Sequence, residues 1–200
     1  MQFTASPRGH HLLAYNSSRI YLLDVYDAPE MQVKREFKIQ RRPVAVCVTD
    51  DASLLAVLSS EMQVNLFDLT QSPPRRKQAI ILDNTPRTIA MSSCGTVLAT
   101  AYDEGIEVSS IHPGALPTDR RSVKCDAVDS LAFSYDGTQI MGTTSQLSSS
   151  PTTVILTAPY FDPGNLLMDD NLSAMWTTSI LFPNTSHDCS HAVLLQNGTS

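Results

Sequence analysis

The stretch Val44-Ala45-Val46-Cys47-Val48, Asp50-Asp51-Ala52-Ser53-Leu54-Leu55-Ala56, then Gln63-Val64-Asn65-Leu66-Phe67-Asp68-Leu69 decides the fold, because its pattern recurs along the chain. An earlier copy reads Ser6 to Ala14 followed by Arg19-Ile20-Tyr21-Leu22-Leu23-Asp24-Val25. A later one runs Thr88 to Met91, Ser93 to Ala99 and Gly105-Ile106-Glu107-Val108-Ser109-Ser110-Ile111, and a fourth opens with Ser130 to Phe133 and Tyr135 to Met141. Aligned on Leu13, Leu55, Leu98 and Ile140, the copies step by 42, 43 and 42 residues. A period held that closely marks a repeat architecture.

Within each copy, short aliphatic and β-branched runs are separated by clusters of Gly, Asp and Ser, the pattern of antiparallel strands. No segment shows convincing apolar spacing at the helical period. The clusters Asp50-Asp51-Ala52-Ser53, Ser92-Ser93-Cys94-Gly95 and Tyr135-Asp136-Gly137-Thr138 join the first two strands of a unit, where such residues supply the backbone conformations of a tight hairpin. The second and third strands meet at Asn16-Ser17-Ser18, Ser59-Ser60-Glu61-Met62 or Tyr102-Asp103-Glu104-Gly105.

The third strands end in Leu23-Asp24 and Phe67-Asp68, with Ser109-Ser110 in the third unit. In these places the chain resembles the WD-repeat (WD40-like) family, whose third strand commonly ends in Trp-Asp. The resemblance implies an all-β protein of β-propeller blades, each a four-stranded antiparallel sheet, with about four to five blades and an incomplete ring. Units are expected near residues 1–40, 41–84, 85–125 and 126–157. The Pro- and Asp-containing segment 158–174 breaks the period. Trp176 to Phe182 and Ala192 to Leu195 then read as strands of a partial further blade over 175–200.

Composition narrows the function classes. With 14 basic and 20 acidic residues the net charge is -6, which argues against general affinity for nucleic acid or anionic lipid. No run approaches a membrane span, and the first eight residues have no signal-peptide core, so an intracellular, cytoplasmic location is expected, the nucleus being the alternative. Cys47, Cys94, Cys125 and Cys189 form no C-x-x-C pair and are expected to be free thiols. The sequons at Asn16, Asn171, Asn184 and Asn197 read as turn residues.

Most of the fourteen basic residues lie between the third strand of one unit and the first of the next, among them Lys34, Arg35, Lys38, Arg41, Arg42, Arg75, Arg76, Lys77, Arg120, Arg121 and Lys124. Cations on an outermost strand discourage edge-to-edge aggregation. The alternative is a phosphoinositide or membrane-surface propeller. Propellers of that kind carry Phe-Arg-Arg-Gly, and the nearest stretches here, Gln40-Arg41-Arg42-Pro43 and Pro74-Arg75-Arg76-Lys77, lack both flanking residues.

His187-Asp188-Cys189-Ser190-His191 offers three donors to a metal but lacks a fourth, and is read as a polar turn. No nucleophile elbow, P-loop or dinucleotide fingerprint occurs. No catalytic residue, metal or cofactor is therefore assigned. The expectation is a non-enzymatic protein-interaction scaffold or adaptor subunit, partnered by other proteins through one loop face. By resemblance to WD-repeat proteins, that face gathers the loops entering the innermost strands and the loops joining second and third strands. It carries Arg42, Ser60, Glu61, Arg87, Tyr102, Asp103 and Glu104, with Arg87 and Tyr102 expected to dominate binding without contributing to stability.

Overall fold

The computed structural model describes residues 1–25, 32–59 and 61–144, and the backbone strands 152–157 and 177–183. They form four antiparallel four-stranded sheets. The first holds β1 (Gln2–Ala5), β2 (His11–Tyr15), β3 (Arg19–Asp24) and β4 (Gln32–Lys38). The second holds β5 (Pro43–Val48), β6 (Leu54–Ser59), β7 (Gln63–Asp68) and β8 (Arg75–Ile81). β9 (Thr88–Met91), β10 (Val97–Tyr102), β11 (Gly105–Ser110) and β12 (Arg120–Lys124) make the third. β13 (Ser130–Phe133), β14 (Gln139–Thr143), β15 (Thr152–Thr157) and β16 (Thr177–Pro183) make the fourth. Strand order follows chain order in every sheet, each strand pairing antiparallel with the next along the chain.

The hairpin between the first two strands is built the same way each time. The N–H of Ser6, Thr49, Ser92 and Ser134 donates to the carbonyl of His11, Leu54, Val97 and Gln139, at 2.9 to 3.0 Å. Inside that bridge a residue with positive φ turns the chain: Gly9, Gly95 and Gly137 at 76°, 71° and 76°, and Ala52 at 55°. Glycine suits this conformation because it has no Cβ to clash with the following carbonyl.

These turns correct the alignment drawn from sequence. Leu12, Leu55, Leu98 and Ile140 pair with the last residue of each first strand, namely Ala5, Val48, Met91 and Phe133. Leu12, rather than Leu13, is thus the true equivalent, and the steps become 43, 43 and 42. Two adjacent leucines made the registers indistinguishable by composition, although a one-residue slip sends every side chain to the opposite face.

Three apolar cores hold the sheets face to face. Between the first and second lie Leu13, Ile20 and Leu22 against Val46, Val48, Leu55 and Val57. Between the second and third lie Ala56, Leu58, Val64 and Leu66 against Ile89, Met91 and Leu98. Between the third and fourth lie Ala99, Ile106 and Val108 against Phe133 and Ile140. The alternation of each strand supplies one set to the preceding sheet and one to the following sheet, so both faces of a middle sheet are apolar. The first strands β1, β5, β9 and β13 stand side by side in that order. The result is an arc that the described residues do not close into a ring.

The fourth strands β4, β8 and β12 carry Lys34, Arg35, Lys38, Arg75, Arg76, Lys77, Arg120, Arg121 and Lys124, the outermost placement expected for the basic residues. Thr177–Pro183, read from sequence as opening a further unit, instead pairs with β15 as the outermost strand of the fourth sheet. That pairing satisfies backbone groups β15 would otherwise leave open along its edge. Its departure from the repeat spacing comes from the long segment before it, which concealed the match.

Candidate functional site

At one end of the arc, the linkers entering β5 and β9 meet turns that join second and third strands. The Arg87 N–H donates to the Ala101 carbonyl at 2.8 Å, which sets Arg87 beside Tyr102-Asp103. Arg41 ion-pairs with Glu61 across the corresponding place in the second sheet. Arg42 lines a recess of about 240 Å³ with Tyr15, Asn16 and Ser17 of the first. Asn16 Oδ1 accepts the backbone N–H groups of Ser18 and Arg19, each at 2.9 Å, and so fixes that turn.

The residues expected on this face fall into two groups. Arg42, Glu61, Asp103 and Glu104 are exposed. The Asp103 side chain is 77% exposed although Arg87 Nη1 holds it at 2.8 Å, so it is presented to solvent in a defined position. Ser60 lies outside the described residues. Arg87 and Tyr102 have structural employment. Arg87 also donates through Nη2 to Asp129 and through Nε to the Val128 carbonyl at 3.2 Å, spanning the third and fourth sheets. Hydrogen bonds to Asp129 first and Asp103 second raise its pKa and keep the guanidinium charged.

Tyr102 is half-buried. Burial, with smaller contributions from Glu107 and Asp83, pushes its phenol pKa up, so it stays protonated. Both side chains resemble interaction hot spots by residue type, yet their partners are intramolecular. No local feature of the sequence announces that, because Asp129 lies 42 residues from Arg87.

The opposite end of the arc contains an association that sequence reasoning missed. Asp50, Ser93 and Tyr135 each directly follow the residue that starts the hairpin bridge. The Arg8 N–H donates to Asp50 Oδ1 at 2.9 Å, and the Asp50 N–H donates to the Ser93 carbonyl at 3.2 Å. Arg8 Nε then reaches the Tyr135 carbonyl at 3.2 Å, with its guanidinium carbon 4.5 Å from the centre of the Tyr135 ring. Turns from all four sheets are thereby linked, the last by a cation–π contact.

Among the described residues, no group of three or more His, Cys, Asp or Glu side chains is placed to hold a metal ion. His187 to His191 lies outside them. No described helix is long and apolar enough to cross a membrane.

Four-stranded antiparallel sheets packed face to face, first strands side by side and outer strands exposed, define a β-propeller. The chain belongs to the family described as Domain of unknown function (DUF7165), whose model matches residues 1–200. No curated protein is similar to it in sequence. Among solved structures it is similar to the β-propeller domain of Cps50 (Swd1) from Myceliophteria thermophila, with a TM-score of 0.64 and 14% identity over 90% of this chain and 56% of that one. It is also similar to hydrazine synthase from Kuenenia stuttgartiensis, with a TM-score of 0.57 and 20% identity over 78% of this chain and 45% of that one. The chain spans about half the length of these two structures. At such identities the likeness concerns the fold.

Proposed function

We propose that this propeller is a non-enzymatic interaction scaffold, an adaptor subunit of a cytoplasmic assembly, whose linker-and-turn face receives a protein partner. The observation that carries the reading is Asp103, an exposed carboxylate held in place by an intramolecular arginine. A charged group already ordered before binding loses little conformational freedom when a partner arrives. Glu104 lies beside it and Arg42 on the linker into the second blade, so the face offers charges of both signs on a rigid frame. Cys47, Cys94 and Cys125 are free thiols, in keeping with a reducing compartment.

The test is charge reversal on exposed positions. Arg42→Glu, Asp103→Lys and Glu104→Lys, combined in the full chain, should remove the proteins that co-purify with wild type from its native cells while leaving the melting temperature within a few degrees. An unchanged set of co-purifying proteins, identified by mass spectrometry, would overturn the reading.

A further inference from the structure

Arg76 and Arg120 stand at the same place in successive blades. Arg76 pairs with Phe67 and Arg120 with Ser109, and these partners occupy the same step of β7 and β11. Arg120 is neutralised within the protein: Nη1 lies 2.8 Å from Asp83 Oδ2 and 3.9 Å from Glu107 Oε1. One blade earlier both carboxylates are replaced by amides. Asn65 pairs with Val57 as Glu107 pairs with Thr100, so Asn65 takes the place of Glu107. Gln40 takes that of Asp83, since each follows the residue, Ile39 or Leu82, whose N–H donates to Ser18 or Met62 just ahead of the third strand.

A third exchange opens space. Ser59 ends β6 where Tyr102 ends β10, and Tyr102 sits within the electrostatic reach of Glu107, Asp83 and Arg120. Between the first two blades there is instead a cleft of about 460 Å³. That is the size range of small-molecule sites. Its lining combines apolar Val57 and Phe67, the half-buried amides of Gln63 and Asn65, and the cations Lys38, Arg41 and Arg76. Among the described lining residues Glu61 is the one acidic group, and it is engaged by Arg41. Lys38 and Arg76 form no ion pair with any described residue.

Two unneutralised cations in one concave site raise the local concentration of anions. An ammonium and a guanidinium together suit the oxygens of a phosphate dianion. The amides provide both donors and acceptors, as a ligand with several hydroxyls needs, and Phe67 offers an apolar surface for a ring. We propose that the cleft between the first and second blades binds a phosphate monoester on a cyclic polyol, with the phosphate at Lys38 and Arg76 and the hydroxyls at Gln40, Gln63 and Asn65. The cleft borders the partner face at Arg41 and Glu61 but does not depend on that reading.

Calorimetric titration of the full chain with an inositol monophosphate, and sedimentation with phosphatidylcholine vesicles containing phosphatidylinositol phosphate, test the proposal. Saturable binding to the free ester identifies a soluble ligand, and binding to the vesicles alone identifies a lipid headgroup. Either result supports the site; saturable binding to neither overturns it. Arg76→Gln, at an exposed position of β8, should weaken binding roughly tenfold by removing a charge-assisted hydrogen bond. The double variant Gln40→Asp, Asn65→Glu, which installs the carboxylates of the next blade, should abolish it. Wild-type affinity in a folded double variant, or in Arg76→Gln, would overturn the assignment. Because Arg76→Gln lies on an exposed outer strand, it decides the matter even if the double variant does not fold.

Discussion

Arg87 of the third blade and Asp129 of the fourth are joined by an ion pair across the blade boundary, and the same arginine holds Asp103 within its own blade. The Asp129 side chain is 13% exposed, so removing its partner leaves a mostly buried carboxylate without its counter-charge. Arg87→Ala should destabilise the protein by about 1–2 kcal/mol, partial exposure of the arginine keeping the effect below that of a buried pair. Chemical denaturation measures it, and an unchanged midpoint would show that the latch is idle.

The hairpin turns predict unequal costs for one chemical change. At Gly137 a Cβ would meet nothing within 4 Å, so Gly137→Ala should cost about 1 kcal/mol, the backbone penalty alone. At Gly95 the same Cβ would lie 2.8 Å from Thr49 Cγ2 and 3.1 Å from Leu54 Cδ2 in the neighbouring blade, and Gly95→Ala should cost clearly more. Ala52 occupies the equivalent turn position in the second blade, so Ala52→Gly should stabilise it by about 0.5 kcal/mol. Thermal melts of the three variants give the ranking, and equal effects at Gly95 and Gly137 would contradict the contact between turns.

Thiol reactivity should follow burial. Burial pushes the buried Cys47 up to about 12, while burial first and Asp126 second push Cys125 up to about 11. Cys94 is exposed. Because the thiolate is the nucleophile, a maleimide applied near neutral pH should, among these three, label Cys94 first, Cys125 more slowly and Cys47 only on unfolding. Site-resolved mass spectrometry over time reads the order, and early labelling of Cys47 would contradict the packing between the second and third blades.

Acid sensitivity should come in part from two turn aspartates. Burial acts to raise the pKa of Asp51 and Asp136, but hydrogen bonds from Thr49 and Ser53 to the one, and from Ser134 and Thr138 to the other, outweigh it and lower both. A carboxyl with a depressed folded value binds its proton more readily when unfolded. Its stabilisation is therefore present above about pH 4 and is lost as pH falls through the folded value. Asp51→Asn, Asp136→Asn should lose less stability than wild type over that range. Urea midpoints at a series of pH values below neutrality provide the comparison.

Strands and hairpins were legible because their causes are local. Alternation in Gln63–Asp68, the Gly and Asp clusters before Leu54 and Gln139, and recurrence of both made four blades readable without coordinates. Basic outer strands were legible for the same reason. The exact register of the first blade was not, since Leu12 and Leu13 satisfy the pattern equally. The outermost strand of the fourth blade was hidden by the segment that separates it from its neighbour.

Sequence by itself therefore determined the architecture: all-β, repeated, four strands to a unit, with turns where backbone constraints demand them. Tertiary structure alone decided what the side chains do. Arg87 became a latch because blade stacking brings Asp129 to it, and Arg76 is a cation without an ion-pair partner among the described residues because register sets Gln40 and Asn65 where the next blade has Asp83 and Glu107. The physical reason is one of range. Backbone conformation follows from neighbours along the chain, whereas neutralisation of a charge depends on what folding places within a few ångströms, which for Arg87 is a carboxylate 42 residues away.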